Sequence, residues 1–298
     1  MTRVARGAWI VYGVVAGAMA SIAIIAWCRA LLAGGPVLYG EGAVAHAAIL
    51  TRTLDTYRDV AGATFTAANY PPLYFIGIAI GEPFATGRLL SIAATLAVAG
   101  LIVWRGRSSG RLVPVILAIG WLALAPVAIW GPAVKPDLVA LALTVGSVLA
   151  LERRRAGLSA ALIVLAILAK PTAIVVALAL LVWLIARDRP QLRRWSIAAA
   201  LAVAVAGGAL VPFGYDGLMR HVIGWNALPW SAEQAALLVF LGAVFLAALI
   251  GGAVVARAVR GPIAAYCVAG VLIVLLGGRE GATINYRSKS TRLNSSHG

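Results

Sequence analysis

The chain has 298 residues, of which 62% are hydrophobic and only 12% are charged. Soluble domains carry about 25% charged residues, so this composition excludes an ordinary soluble enzyme. The formal net charge is +15, but the arginines form short clusters between apolar segments, as in the cytoplasmic loops of membrane proteins. We therefore predict one all-α membrane domain whose partners include membrane lipids and no nucleic acid.

Nine apolar segments approach the length of about 20 residues that crosses the core of a bilayer. In chain order they are Ala8–Ala30, Arg88–Trp104, Leu112–Ala133, Leu138–Leu151, Leu158–Ala169, Thr172–Ala186, Ile197–Phe213, Ala235–Ala256 and Pro262–Gly277. The fourth to sixth are short, and only Lys170 and Pro171 separate the fifth from the sixth, so these two could also be joined in one kinked helix. Because joining them would disturb the charge pattern of every later loop, we predict a polytopic bundle of about nine spans.

The arginines decide the predicted orientation. With a cytoplasmic N-terminus, the five inner segments hold 14 arginines, whereas the longer outer segments hold eight basic residues and eight of the ten acids. Basic residues concentrate in the cytoplasmic loops of membrane proteins. The sequence therefore predicts a multi-pass protein of the cell (plasma or inner) membrane with its N-terminus in the cytoplasm.

The outer segment from Leu31 to Gly87 is the longest predicted loop, and it is too apolar to be freely hydrated. Glu41–Val60 has a rough helical amphipathicity, and the double proline before Leu73 permits a helix to start at Pro72. We predict that Glu41–Val60 and Pro72–Ala85 are helices lying in the outer membrane interface. Their aromatic residues Tyr70, Tyr74 and Phe75 would then lie at headgroup level.

Two acids on the predicted outer side are candidates for general-base chemistry. Glu41 lies between two glycines just after the first span, and the alternative is a solvated loop acid. Asp137 follows Lys135 and Pro136 at the start of the fourth span, and ionisable residues at such positions are functional candidates. The alternatives for Asp137 are a helix N-cap or a surface pair with Lys135.

Basic and polar residues on the same side are candidates for substrate binding. Lys170, between two short spans, suits a phosphate as a point charge, and Arg88 could hold one bidentately. Anchoring to lipid headgroups is the alternative for both cations. The remaining candidates are Lys135, Tyr70, His221 and Asn285.

Several familiar catalytic motifs are absent from the sequence. It contains no HExxH zinc motif, P-loop, GxSxG elbow or convincing dinucleotide fingerprint. Its two cysteines lie in apolar segments and define neither a disulfide nor a metal site.

An ordered set of short motifs resembles the GT-C superfamily of polytopic glycosyltransferases, which includes bacterial relatives of protein O-mannosyltransferases and aminoarabinose transferases. The motifs are Tyr39–Gly42 (YGEG), Asn69–Tyr74 (NYPPLY), Gly87–Ser91 (GRLLS), Lys135–Asp137 (KPD), Lys170–Thr172 (KPT) and Gly281–Tyr286 (GATINY). Their order and spacing fit the family over residues 8–286.

The resemblance implies transfer of a sugar from a polyprenyl-phosphate-linked donor to a lipid, glycan or protein acceptor on the outer face of the cell envelope. It implies a catalytic role for Glu41, a second acid position at Asp137, and contacts of Arg88 and Lys170 with the donor phosphate. Many relatives have an acidic pair at the first site, whereas residue 40 here is glycine. The metal requirement is open, with a divalent cation as one candidate cofactor.

The C-terminal residues change character abruptly. Lys289–His297 (KSTRLNSSH) resembles the translation of a sequencing-library adapter. We expect one transmembrane domain over residues 1–287, incomplete at its C-terminus, and a non-native tail over 288–298 without packed structure. The family's C-terminal helices would then be absent, which puts the activity of this chain in question.

A polytopic transporter or lipid flippase is the alternative function. Transporters place their substrates near the middle of the membrane, often within an inverted repeat. Convergence of Glu41, Asp137, Arg88 and Lys170 on one outer cavity would favour the enzyme, and a continuous polar path across the bundle would favour the transporter.

Overall fold

The computed structural model describes residues 3–58, 68–110, 112–225, 227, 229–240 and 261–276, and this part of the chain is helical without β-strands. The helices are α1 (Arg3–Leu32), α2 (Glu41–Thr51), α3 (Pro72–Ala79), α4 (Pro83–Gly106), α5 (Leu112–Ala123), α6 (Ala125–Trp130), α7 (Asp137–Glu152), α8 (Ala156–Ala169), α9 (Ile174–Arg187), α10 (Arg189–Leu210), α11 (Tyr215–Met219), α12 (232–240) and α13 (Pro262–Leu276). The predicted all-α class is thereby confirmed.

Three helices within the described residues are long and apolar enough to cross a membrane: Gly7–Leu32, Pro83–Gly106 and Arg189–Phe213. Shorter apolar helices of 10–17 residues lie between and after them. The fold therefore has the helical, membrane-type character that the sequence predicts, whereas the total of nine spans stays a prediction. Most of the eighth predicted span, the tail and Asn285 lie outside the described residues.

The third predicted span consists of two helices rather than one. α5 ends at Ala123, Leu124 is extended, and α6 begins at Ala125 with proline in its first turn. Pro126 accounts for the break, because a proline has no N–H for the helical hydrogen bond to the carbonyl four residues earlier and its ring clashes with that carbonyl. The Trp27 indole N–H donates to the Ala128 carbonyl over 2.8 Å, which joins α6 to α1.

The two predicted interfacial helices differ from their expected form. α2 ends at Thr51 rather than near Val60, and α3 ends at Ala79, after which Glu82 caps a separate helix α4. Tyr74 and Phe75 are buried in the protein rather than exposed to lipid headgroups. They pack with Tyr57 and with the segment after α10, a contact between distant parts of the chain that helical periodicity could not reveal.

The bundle has two chemically different ends. The arginine end holds the turns that follow α4, α7 and α9. There, Arg105 pairs with Glu152 over 2.8 Å, the Arg153 guanidinium lies 3.3 Å from the Trp104 ring centroid, and Arg154 reaches Asp188 at 4.0 Å. These contacts bring three of the predicted inner arginine clusters together at one end of the bundle.

The opposite end, here called the Glu41 end, holds the candidate site residues that the structure describes. It is formed by the ends of α1, α6 and α8, by the starts of α4, α7 and α9, and by the short helices α2, α3 and α11. A core beneath it is built from α7, α8, α9, α10 and α13. Trp195 is the one apolar side chain that α10 buries, and Ile197, Leu201, Val203 and Val205 are exposed, as expected of a helix that faces lipid.

Candidate functional site

Glu41 is the first residue of α2 and is completely buried. Its Oε2 accepts hydrogen bonds from the backbone N–H groups of Val37 and Leu38, at 2.7 and 3.2 Å, and from the Arg88 guanidinium at 3.2 Å. Its Oε1 accepts from the Val134 N–H at 2.9 Å. Gly40 precedes it with a φ of 81°, a left-handed conformation that favours glycine. The predicted base is thus held by the protein on both oxygens.

Arg88 lies in α4 and is also completely buried. Its Nη1 donates to the carbonyls of Ala30 and Ala33, and its Nη2 donates to the Gly35 carbonyl and to Glu41. Nε is the guanidinium nitrogen without a hydrogen-bond partner among the described residues. A guanidinium has five N–H groups, and four of them are used within the protein. In this arrangement Arg88 is not exposed to a donor phosphate.

Asp137 and Lys170 form an ion pair. Asp137 is the first residue of α7, where the helix dipole favours a carboxylate. Lys170 ends α8 with extended backbone, and Pro171 then begins a short 3-10 helix that leads into α9. The two side chains are 37% and 27% exposed, respectively, so the pair is open to solvent. The N-cap residue of α7 is Pro136 rather than Asp137, and the Asp137 carboxylate pairs with Lys170.

Lys135 completes a cluster with these two residues, called here the lysine–aspartate cluster. Its ammonium lies 4.5 Å from the centroid of the Trp130 ring, a cation–π contact. Burial lowers the pKa of Lys135 below its usual value, the nearby Asp137 carboxylate opposes that shift, and the Lys170 ammonium adds to it. The cluster contains two cations and one carboxylate, so it carries a net positive charge when both lysines are protonated.

The buried pair and the exposed cluster are connected through one stretch of backbone. Glu41 accepts from Val134, the residue before Lys135. The Ser91 hydroxyl lies 2.6 Å from the Ala133 carbonyl and also lies 3.3 Å from the Lys135 carbonyl oxygen. The residues before Asp137 are therefore fixed from two sides.

His221 and Tyr70 lie in a separate contact at the Glu41 end. The His221 Nδ1 accepts from the Ala68 N–H at 3.1 Å, and its Nε2 lies 3.2 Å from the Arg58 carbonyl. The ring packs against Tyr57, whose hydroxyl donates to the Tyr70 carbonyl over 2.7 Å. His221 is 1% exposed. The structure thus places this predicted substrate-binding residue in a backbone-binding position.

Replacement of His221 by phenylalanine should loosen this contact. The ring shape is kept, but the Ala68 N–H and the Arg58 carbonyl lose a partner, and a buried polar group left unsatisfied costs about 1–3 kcal/mol. We expect faster amide hydrogen exchange at Ala68 and in residues 220–225. The control is His46→Phe, which replaces an exposed histidine on α2. Equal exchange in the two variants would show that the imidazole does not hold the segment.

Ser91 and Trp130 are two residues of this region that were not among the predicted site residues. Ser91 belongs to the GRLLS motif, so its position in that motif was the available signal. Trp130 carried no signal, because its contact with Lys135 depends on how α6 ends. Tyr74 lies nearby and its hydroxyl is 3.3 Å from the Gly87 carbonyl. Burial raises the pKa of Tyr74, so its phenol is neutral at physiological pH.

An apolar cleft of about 420 Å³ lies between α1 and α6. Its walls include Met19, Ile22, Ala26 and Ile129, and it reaches Val37, Leu38 and Glu41. The cleft therefore extends from apolar side chains of α1 to the buried pair formed by Glu41 and Arg88. No group of three or more His, Cys, Asp or Glu side chains with the arrangement of a metal site occurs within the described residues.

Comparison of this chain with protein-family models, curated proteins and solved structures finds no match. The class of protein that the fold defines is thus an all-α protein with helices of membrane-spanning type.

Proposed function

We propose that this protein is a membrane glycosyltransferase that moves a sugar from a polyprenyl-phosphate-linked donor to a hydroxyl group of a lipid, glycan or protein acceptor. The observation that carries the proposal is the lysine–aspartate cluster, in which the partly exposed Asp137 carboxylate is paired with Lys170 and acts electrostatically on Lys135. Such a transfer needs a base for the acceptor hydroxyl and a cation for the departing phosphate. The resemblance to GT-C motifs points to the same reaction.

Asp137 is the proposed general base, because its carboxylate is open to solvent whereas both oxygens of Glu41 are bound inside the protein. Asp137 takes the proton of the acceptor hydroxyl as that oxygen bonds to the anomeric carbon of the sugar. The bond from this carbon to the phosphate oxygen breaks, and its electron pair leaves with the polyprenyl phosphate. Lys170 and Lys135 stabilise the released negative charge.

The Glu41 end also offers an apolar surface for a lipid-linked substrate. The apolar cleft between α1 and α6 offers space for part of a lipid chain at the Glu41 end of the bundle. In a lipid-linked sugar the lipid phosphate is itself the leaving group, so the reaction requires no nucleotide-binding fold. Its chain can remain in the membrane while the phosphate reaches the lysines.

The proposed setting is the cell membrane, with about nine spans, a cytoplasmic N-terminus and the Glu41 end on the outer face. The grouping of Arg105, Arg153 and Arg154 at the opposite end supports this orientation, since basic residues concentrate in cytoplasmic loops. Within the three long apolar helices the charged residues lie near the ends. That distribution favours chemistry at a membrane surface over a polar path through the middle of the bundle.

Sugar transfer by the protein in proteoliposomes tests the proposed function. The vesicles contain a polyprenyl-phosphate sugar with a radiolabelled sugar, and they are supplied with membrane extract as the source of acceptors. We expect label to move into the acceptor fraction and polyprenyl phosphate to be released in equal amount. Movement of intact labelled lipid across the bilayer without release of polyprenyl phosphate would instead identify a flippase.

Binding of polyprenyl phosphate should weaken at alkaline pH. The ammonium form of Lys135 attracts the phosphate, and burial lowers the pKa of Lys135. As the pH rises through this lowered pKa, Lys135 therefore loses its charge and its attraction for the phosphate. This happens at a lower pH than for an ordinary lysine. We expect a roughly tenfold loss of affinity, the effect of one charge-assisted contact. Lys135→Arg keeps its charge and should move the loss to higher pH, and identical pH profiles would exclude Lys135 from the contact.

A further inference from the structure

We propose that Glu41 and Arg88 are positioning residues, which fix the backbone before Lys135 and Asp137 and do not themselves touch substrate. The claim that Lys135 and Asp137 are the residues of a sugar-transfer site rests on the proposed function. The buried pair of Glu41 and Arg88 does not depend on it. Glu41 thereby has a role different from the catalytic one that the resemblance to GT-C motifs implies.

The hydrogen bonds of Glu41 argue against its acting as a base. Its Oε2 accepts from three donors and its Oε1 from a fourth, and the side chain is 1% exposed. To take a proton from an acceptor, the carboxylate would have to leave partners that already satisfy most of its lone pairs.

Arg88 ties the end of α1 to this carboxylate. The Ala30 carbonyl lies in the last turn of α1, where carbonyls lack helical partners. The same guanidinium holds the carbonyls of Ala33 and Gly35 in the following loop. Arg88 therefore ends the first helix and shapes the loop that leads to Glu41.

Glu41 in turn holds the segment that carries the cluster. Its carboxylate accepts a hydrogen bond from the N–H of Val134, which lies one residue before Lys135 and three before Asp137. Val134 also packs on α4 at Gly87, where an added Cβ would lie 2.6 Å from the Val134 side chain. A shift of the Glu41 carboxylate would therefore move the backbone that carries Lys135 and Asp137.

Removal of either charge leaves the other one buried and unpaired, which is strongly destabilising, whereas removal of both relieves that conflict. Two sets of variants test this: Glu41→Gln, Arg88→Met and their double, and the matched set Glu152→Gln, Arg105→Met and their double. The second set removes the exposed ion pair at the arginine end. The measurements are the thermal unfolding midpoint, the Kd for polyprenyl phosphate, and the pH profile of sugar transfer.

We expect each single change at Glu41 or Arg88 to lower the midpoint by at least about 5 °C, and the double change to lower it by less than the two together. The control set should stay within about 2 °C of wild type, as exposed pairs contribute little. The Kd should rise roughly tenfold in the Glu41→Gln protein. Its residual transfer should keep the wild-type decline at acid pH, because Asp137 remains the base.

The opposite pattern would overturn the proposal: Glu41→Gln with wild-type unfolding and donor binding, but with transfer abolished together with the acid limb of its pH profile. If Glu41→Gln yields no folded protein, Glu41→Asp distinguishes a positioning residue from a catalytic base. It keeps the charge but shortens the reach to Val134, so a positioning role predicts a raised donor KM with kcat close to wild type. A lowered kcat with unchanged KM would identify Glu41 as the base.

Failure of the proposed function has a different signature. Wild-type protein would then transfer no sugar, while the coupling between Glu41 and Arg88 in the unfolding midpoints would persist. Additive midpoints for these two residues, with active wild-type enzyme, would instead overturn the positioning role and leave the glycosyltransferase proposal standing.

Discussion

Replacement of Asp137 by asparagine should reduce sugar transfer by about 10²–10⁴-fold, the usual contribution of a positioned general base. Asparagine keeps the size of the side chain but cannot accept the proton. It also leaves the Lys170 ammonium without its carboxylate partner, so the donor phosphate should bind at least as tightly as in wild type. We therefore expect a lowered kcat, an unchanged or lower donor KM, and loss of the decline in rate at acid pH.

Asp55→Asn is the matched control for this variant. Asp55 also lies at the Glu41 end and pairs with a basic residue, Arg58, over 2.7 Å. It lies outside the lysine–aspartate cluster, so its loss should leave transfer nearly unchanged. Wild-type kcat in the Asp137→Asn enzyme would show that Asp137 is not the base. If Glu41→Gln were equally active, the proposed site would be wrong as a whole.

The fold was predictable from the sequence where apolar length and charge clusters carry the information. The segments predicted for α7, α8 and α13 agree with the observed helices to within about one turn, and the segment predicted for α1 begins five residues late. The break at Leu124 was missed because an apolar count does not register Pro126. The burial of Tyr74 and Phe75 was missed because it depends on packing against Phe213 and Leu218, which are far along the chain.

The candidate site was predictable in its residue types but not in its pairings. Motifs drew attention to Glu41, Arg88, Asp137 and Lys170, and the structure brings these four residues to one end of the bundle. It divides them into a buried pair and an exposed pair, and a linear sequence holds no signal for that division. Which acid is free to react is decided by backbone N–H groups such as that of Val134, whose direction depends on the folded loop.

In the proposed reaction Lys170 has a role of its own, because its ammonium stabilises the negative charge that develops on the departing phosphate. Replacement of Lys170 by methionine should lower kcat by about 10²–10³-fold, the usual cost of removing one group that stabilises developing negative charge. Methionine retains much of the apolar length of the side chain. Asp137 is 37% exposed, so water can solvate its carboxylate after the lysine is gone, and the base should remain usable.

The kinetic pattern of Lys170→Met separates two roles. A lower kcat with little change in donor KM means that the ammonium acts mainly on the charge that develops in the transition state, whereas a raised KM with unchanged kcat means that it only binds the donor. Lys170→Arg keeps the positive charge, so it should recover part of the rate. Arg58→Met, which removes a 74% exposed cation at the same end, is the control and should behave as wild type. Unchanged kcat and KM in Lys170→Met would separate this lysine from the reaction and leave Lys135 as the remaining cation of the cluster.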